Sequence, residues 1–139
     1  MHAIRLRGPW EFSIGGRGVR GRIDFPCTWR ELLSAVMIAG SGPGNSTSIT
    51  LSRRFHRPTG LAPGDRILLS LAHSGRDLTA RLNGVELALV ARADETLAAD
   101  ITGKLSDHNE LAVELAPPSP ALLDSALPLL EATLEIHSA

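Results

Sequence analysis

Leu78-Thr79-Ala80-Arg81-Leu82-Asn83-Gly84-Val85-Glu86-Leu87-Ala88-Leu89 carries apolar and polar residues in alternation on both sides of an Asn-Gly pair. Asn-Gly readily takes the positive φ values of a type I′ turn, so the stretch reads as a two-stranded hairpin. The same period of two recurs to either side. Ile4 and Leu6 alternate with Arg5 and Arg7; Trp10, Phe12 and Ile14 with Glu11 and Ser13; Val19, Gly21 and Ile23 with Arg20, Arg22 and Asp24. Ile49, Leu51 and Phe55 form a further strand pattern, as do Ile67, Leu69 and Leu71, then Leu111, Val113 and Leu115. A last strand holds Leu129, Ala132, Leu134 and Ile136 inward, with Glu131, Thr133, Glu135 and His137 wet.

Helix is confined to short pieces. Thr28 is placed to cap a helix running to about Ala35, with Glu31 three residues on completing a capping box, and a turn follows Asp100. Gly40 to Ser48 reads as a Gly/Ser loop, and Pro117, Pro118 and Pro120 break the chain before the final strand. Many short strands, no βαβ alternation and no repeat predict an all-β fold, a jelly-roll β-sandwich with one or two helical turns. At 139 residues, without a separating linker, residues 1–139 are expected to form a single domain.

Composition narrows the function classes. The apolar share is 43% and the charged share 21%, and the formal net charge of −1 gives no global reason to bind nucleic acid. Only Lys104 among the fourteen basic residues is a lysine, a bias for which we have no physical account. The lone Cys27 has no internal disulfide partner. Met1 leads directly into Ile4-Arg5-Leu6-Arg7 without a signal-like apolar stretch, and no apolar run is long enough to span a membrane, so the expectation is a cytoplasmic, soluble protein. Asn45-Ser46-Thr47 matches a glycosylation acceptor, but that match needs a secretory route the terminus does not supply.

Taken in order, the motifs resemble a known family. They are Leu6-Arg7-Gly8-Pro9-Trp10-Glu11-Phe12, Phe25-Pro26-Cys27-Thr28-Trp29, Ser52-Arg53-Arg54-Phe55-His56-Arg57-Pro58, Leu82-Asn83-Gly84, Asp100-Ile101-Thr102 with Leu105, Asn109-Glu110-Leu111-Ala112-Val113 and Leu134-Glu135-Ile136. Their order and spacing resemble the amino-terminal, galactose-binding-like sugar-binding domain of family 2 glycoside hydrolases, the β-galactosidase and β-glucuronidase group. The resemblance covers nearly the whole chain. It implies a jelly-roll sandwich related to carbohydrate binding, with the catalytic glutamates belonging to a separate barrel that this chain lacks. The sequence departs from the family pattern after Leu115, where Ala116-Pro117-Pro118-Ser119-Pro120 offers no carboxylate, and at Leu127-Pro128-Leu129, which replaces a Gly-rich approach. Thr50 and Leu51 stand where the family often has aromatics. Without the family, Asp100 and Thr102 read as caps of a one-turn helix, and Asn109 as a left-handed turn residue entering a strand.

Chemistry-bearing patterns are sparse. Gly16-x-Gly18-x-x-Gly21 precedes a strand pattern, so it reads as a Gly-rich turn and not a dinucleotide site, and Gly40, Gly42 and Gly44 lack a phosphate-loop Lys-Ser/Thr. His2, His56, His73, His108 and His137 are scattered without metal-ligand spacing, and no Asp-rich calcium loop is visible, so no metal and no cofactor are expected. His73-Ser74-Gly75 lacks a nucleophile elbow. Glu11, Asp24, Glu86, Glu114, Glu131 and Glu135 fall on wet strand phases, so no catalytic carboxylate pair is expected and the chain reads as no enzyme. Arg53 shares its parity with Leu51 and Phe55 and is expected to be bridged to a carboxylate, a ligand-facing guanidinium being the alternative. Arg5, Arg7, Arg20 and Arg22 lie on outward faces, by default solvated.

Two function classes follow. The first is a non-catalytic module that binds carbohydrate at loops on one end of the sandwich, with Trp29 for stacking, Asn45 and Arg54 for hydroxyls, and His73 and Arg76 from a turn. The second is an assembly module, or the sandwich subunit of a split glycosidase, that docks a protein partner or a second copy of itself. It is motivated by the apolar cluster Leu122, Leu123, Leu127, Leu129 and Leu130.

Overall fold

The structure, a computed structural model, describes residues 1–14, 20–38, 48–73, 77–116 and 120–138. In chain order the elements are β1 (His2–Arg5), β2 (Gly8–Ile14), β3 (Arg20–Phe25), α1 (Trp29–Ile38), β4 (Ile49–His56), β5 (Arg66–His73) and β6 (Leu78–Leu82). There follow β7 (Val85–Glu86), β8 (Val90–Ala91), β9 (Leu97–Asp100), β10 (His108–Leu115), α2 (Pro120–Leu123) and β11 (Leu130–His137). They form two antiparallel sheets, a five-stranded one ordered β1-β11-β5-β9-β8 and a six-stranded one ordered β3-β2-β4-β10-β6-β7. This is an all-β, jelly-roll sandwich of the galactose-binding-like kind.

The alternation in sequence becomes the division between core and surface. Trp10 and Phe12 from β2, Leu51 from β4, Leu111 and Val113 from β10 meet Leu69, Leu71 and Leu134 from the opposite sheet, all buried. Trp10 stacks on Phe25 with ring centres 4.8 Å apart, and its indole N–H donates to the Leu6 carbonyl at 3.0 Å, so the one polar atom of a fully buried side chain is satisfied. Gly21 lies opposite Phe12 in the β2–β3 register, and a Cβ at Gly21 would fall 2.6 Å from Phe12 Cε2. The Phe12 ring therefore occupies the space that a side chain on β3 would need.

The hairpin forms with Asn83 at φ 53° and Gly84 at φ 84°, as the turn chemistry requires. Its second arm is shorter than expected. The strand ends at Glu86, Leu87 still donates its N–H to the Ala80 carbonyl at 2.9 Å with its side chain in the core, and the chain then crosses to the other sheet to make β8.

The capping box closes as expected: Glu31 N donates to Thr28 Oγ1 at 3.2 Å and Thr28 N to Glu31 Oε1 at 3.0 Å. The helix runs on past Ala35 to Ile38, and buries Trp29, Leu32 and Val36. Cys27, just before it, is buried too, and burial foremost, then the nearby Glu31 carboxylate, pushes its thiol pKa up to about 12.

The β8–β9 turn is clasped to the neighbouring strands by one side chain. Arg92 makes a bidentate pair with Glu135, both bonds 2.9 Å, and reaches Ser70 Oγ at 2.7 Å and Thr96 Oγ1 at 2.9 Å. The Arg92 guanidinium, with smaller help from His137, holds the Glu135 carboxyl below the usual carboxylate range.

Two expectations are corrected. Asn109 has no left-handed backbone; it lies within β10, buried, and does its backbone work through its side chain. Of the proposed apolar cluster, Leu129 and Leu130 are in the core, Leu123 is half-buried and only Leu127 is well exposed; the Leu122 side chain lies outside what is described.

Candidate functional site on the six-stranded sheet

The antiparallel register of β4 and β10 sets His56 opposite His108, Arg54 opposite Glu110 and Ser52 opposite Ala112 on the outer face, while Phe55 and Leu111 point inward. Neighbouring strands extend that row, with Glu11 of β2 beside Ser52 and Arg22 of β3 beside Glu11. The small Ser52 among long charged side chains leaves a depression on this face. It consists of two clefts, about 410 Å³ and about 250 Å³, that share Arg54 and Glu110. The larger is lined by His56, Asn83, His108 and Asn109 as well, the smaller by Pro9, Glu11, Arg22, Ser52 and Arg53.

Arg54 Nε stands 3.7 Å from Glu110 Oε2, beyond hydrogen-bond length, with the two side chains 89% and 53% exposed. A pair so solvated contributes at most about 1 kcal/mol, so both groups can turn to a ligand at little cost. One wall of the larger cleft is rigid. Asn83 N donates to the Glu110 carbonyl at 2.9 Å, Glu110 N donates to Asn83 Oδ1 at 2.8 Å, and Asn83 Nδ2 donates to Asn109 Oδ1 at 3.0 Å. Asn109 Oδ1 also accepts from Ser106 N at 2.8 Å, and its Nδ2 donates to Ser106 O at 2.8 Å and Phe55 O at 3.5 Å. The hairpin tip is thereby tied to β10, β4 and the loop before β10.

Arg53 is held by carbonyls and not by a carboxylate: Nε donates to Arg7 O at 2.7 Å and Nη1 to Arg54 O at 3.1 Å. The β2–β4 ladder pairs only Glu11 to Ile14, since Pro9 has no N–H to offer further along, and the Arg53 guanidinium fills the fork where the strands part. Burial lowers its pKa.

Of the described residues expected to bind ligand, Trp29, Arg54 and His73, the structure brings only Arg54 into this groove. Trp29 is corrected: it is 1% exposed, because the first turn of α1 faces the core, and it has no face to offer a sugar. His73 ends β5 on the other sheet, beside a separate cleft of about 200 Å³ with Leu127 and Glu131. Its Nδ1 has no hydrogen-bond partner among the described residues, and burial lowers its pKa. Asn45 and Arg76 lie outside the described residues. His56, Asn83, His108, Asn109 and Glu110 were not singled out as ligand-facing, and no local pattern marks them; the pairing of β4 with β10, more than fifty residues apart, and of β6 with β10 assembles them.

Among the described residues no three His, Cys, Asp or Glu side chains converge to hold a metal ion, and no helix is long and apolar enough to cross a membrane. No family model matches the chain and no curated protein matches it. Solved structures do. An FMN-binding β-glucuronidase from Faecalibacterium prausnitzii L2-6 superposes with a TM-score of 0.66 at 21% identity, over 96% of this chain and 22% of that one. A β-D-mannosidase from Dictyoglomus thermophilum gives 0.68 at 13% identity, over 97% of this chain and 22% of that one. The β-glucuronidase of Bifidobacterium dentium, complexed with coumarin-3-O-glucuronide, gives 0.70 at 15% identity, over 99% of this chain and 30% of that one. At such identities the likeness establishes the fold. The chain spans less than a third of the length of these glycosidases.

Proposed function

We propose that the chain is a non-catalytic, carbohydrate-binding-like module related to the amino-terminal domain of family 2 glycoside hydrolases, and that it takes sugar in the groove across Arg54 and Glu110. The observation that carries this reading is the joined pair of clefts, with an exposed guanidinium and carboxylate at their centre and the Asn83 side chain fixed at one wall. Sugar hydroxyls act as donor and acceptor at once, and Arg, Glu, Asn and Ser side chains match both roles. The sandwich likeness to glycosidases, confined to a minor part of their chains, supports assigning catalysis elsewhere. So does the exposure of Glu11 and Glu110, which leaves neither in the apolar setting that makes a general acid.

A glycan array followed by calorimetry, over neutral and acidic sugars, tests this. Arg54→Ala and Glu110→Ala should each weaken binding about tenfold or more, equivalent to roughly 1.5–3 kcal/mol for a hydrogen bond to a charged group. Arg5→Ala, on the other sheet, should not. Absence of any glycan above background, or binding indifferent to Arg54 and Glu110, would sink the proposal.

A further inference from the structure

At the open end of the groove the β4–β10 register sets two histidines side by side. His56 and His108 are directly paired across the strands, both are exposed, and their ring centres are 4.8 Å apart at an interplanar angle of 64°. Neither ring makes a hydrogen bond or ion pair to a described residue, so the ring nitrogens are not committed elsewhere in the described protein. With a metal–nitrogen distance of about 2.1 Å and an N–metal–N angle of roughly 90–110°, two imidazoles on one ion hold their ring centres about 4.5–5.2 Å apart. The observed separation falls inside that range before any side chain moves.

We infer that His56 and His108 form a two-imidazole site for a divalent transition-metal ion of the Ni²⁺, Cu²⁺ or Zn²⁺ class. Imidazole suits these ions and not Ca²⁺ or Mg²⁺, which demand oxygen ligands. Since no third ligand among the described residues converges with the pair, the remaining coordination positions go to water or to oxygen atoms of a ligand lying in the cleft that both rings line. Affinity is therefore modest, and the order follows the usual preference, Cu²⁺ above Ni²⁺ and Zn²⁺. An ion there bridges β4 to β10 in the folded chain alone, so it raises the unfolding temperature, by a roughly constant step for each tenfold rise in its concentration above the dissociation constant.

The test uses the full chain without an affinity tag, titrated with Ni²⁺ and separately with Zn²⁺ by calorimetry at neutral pH. One ion per chain is expected. His56→Ala and His108→Ala should each weaken binding at least about tenfold, since losing a direct ligand costs no less than the 10–100-fold lost with an outer-shell partner. Both residues are exposed, so the metal-free unfolding temperatures of these variants should match the parent. His2→Ala and His137→Ala are the controls, the first because a terminal amine beside a histidine can itself chelate. In proton spectra Ni²⁺ should broaden the ring signals of two of the five histidines first. No binding, binding lost in His2→Ala or His137→Ala instead, or indifference to either His56 or His108 would overturn the inference. No sugar enters the titration, so its outcome and that of the glycan test are independent.

Discussion

Replacing Asn109 with Ala should cost about 2–3 kcal/mol of stability. The side chain is 3% exposed and makes three hydrogen bonds of 2.8–3.0 Å and a longer one of 3.5 Å, to Ser106, Asn83 and the Phe55 carbonyl. Each good bond contributes about 1 kcal/mol net, and the groups left behind add to the loss where water cannot reach them. Ser106 and Asn83 are exposed and rehydrate in part, which keeps the total below the sum of full desolvation penalties. Against a domain stability of about 5–15 kcal/mol and a urea slope of about 1–3 kcal/mol/M, the unfolding midpoint should drop by about 1–2 M. Asn109→Asp sharpens the test, because a carboxylate oxygen then faces the carbonyls of Ser106 and Phe55 where an amide N–H₂ had donated. Burial beside acceptors raises the folded-state pKa of that carboxyl above its unfolded value, so the variant should recover stability as pH falls and the acid gains a proton to donate. A midpoint for Asn109→Ala within 0.3 M of the parent (roughly half a kcal/mol) would refute the reasoning, as would a deficit in Asn109→Asp independent of pH.

Gly21→Ala should cost about 1–3 kcal/mol in thermal unfolding by driving a Cβ into the buried Phe12 ring, and Phe12→Leu in the same chain should recover part of it. Arg92→Met should remove roughly 2 kcal/mol at pH 7. Because the parent Glu135 carboxyl is held below its unfolded value of about 4.3, the pair's contribution is complete above that pH and drains away as pH falls through the lowered native pKa; the variant's stability should decline less steeply there. Cys27 should resist a thiol reagent at pH 8 in the native protein and react fully in denaturant, because burial holds its pKa near 12; rapid native labelling would contradict its place in the core.

The strands, the Asn83-Gly84 turn and the Thr28–Glu31 capping box were legible because each rests on residues within a few positions of one another. The groove was not. Arg54 was identified, yet its neighbours Glu110 and His108 are set by the register of β4 on β10 and Asn83 by that of β6 on β10, and a period-two pattern says which face a residue takes without saying what stands opposite. The same limit hid the Arg53 carbonyl partners, which depend on where Pro9 ends a ladder, and made the five histidines look scattered. Trp29 misled for a different reason: the loop-to-helix step was read correctly, but an aromatic at a first helical position faces inward or outward according to the tertiary contact the helix makes.

The five-stranded sheet opens on β1 and continues with β11: among the described residues β1 pairs with β11 alone, which in turn separates it from β5. A ribosome therefore releases β1 long before anything exists for it to pair with, and while β5, β9 and β8 can pair earlier, the β1 side of that sheet waits for residues near 130 to emerge. Until then β5 presents a bare row of peptide groups that another nascent chain can match. A premature stop between residues 116 and 130 would consequently do more than trim an edge; it would strip two strands at once and leave a half-built barrier prone to self-association. Cellular yield of this protein should thus depend more steeply on its final eight-residue strand than on α1.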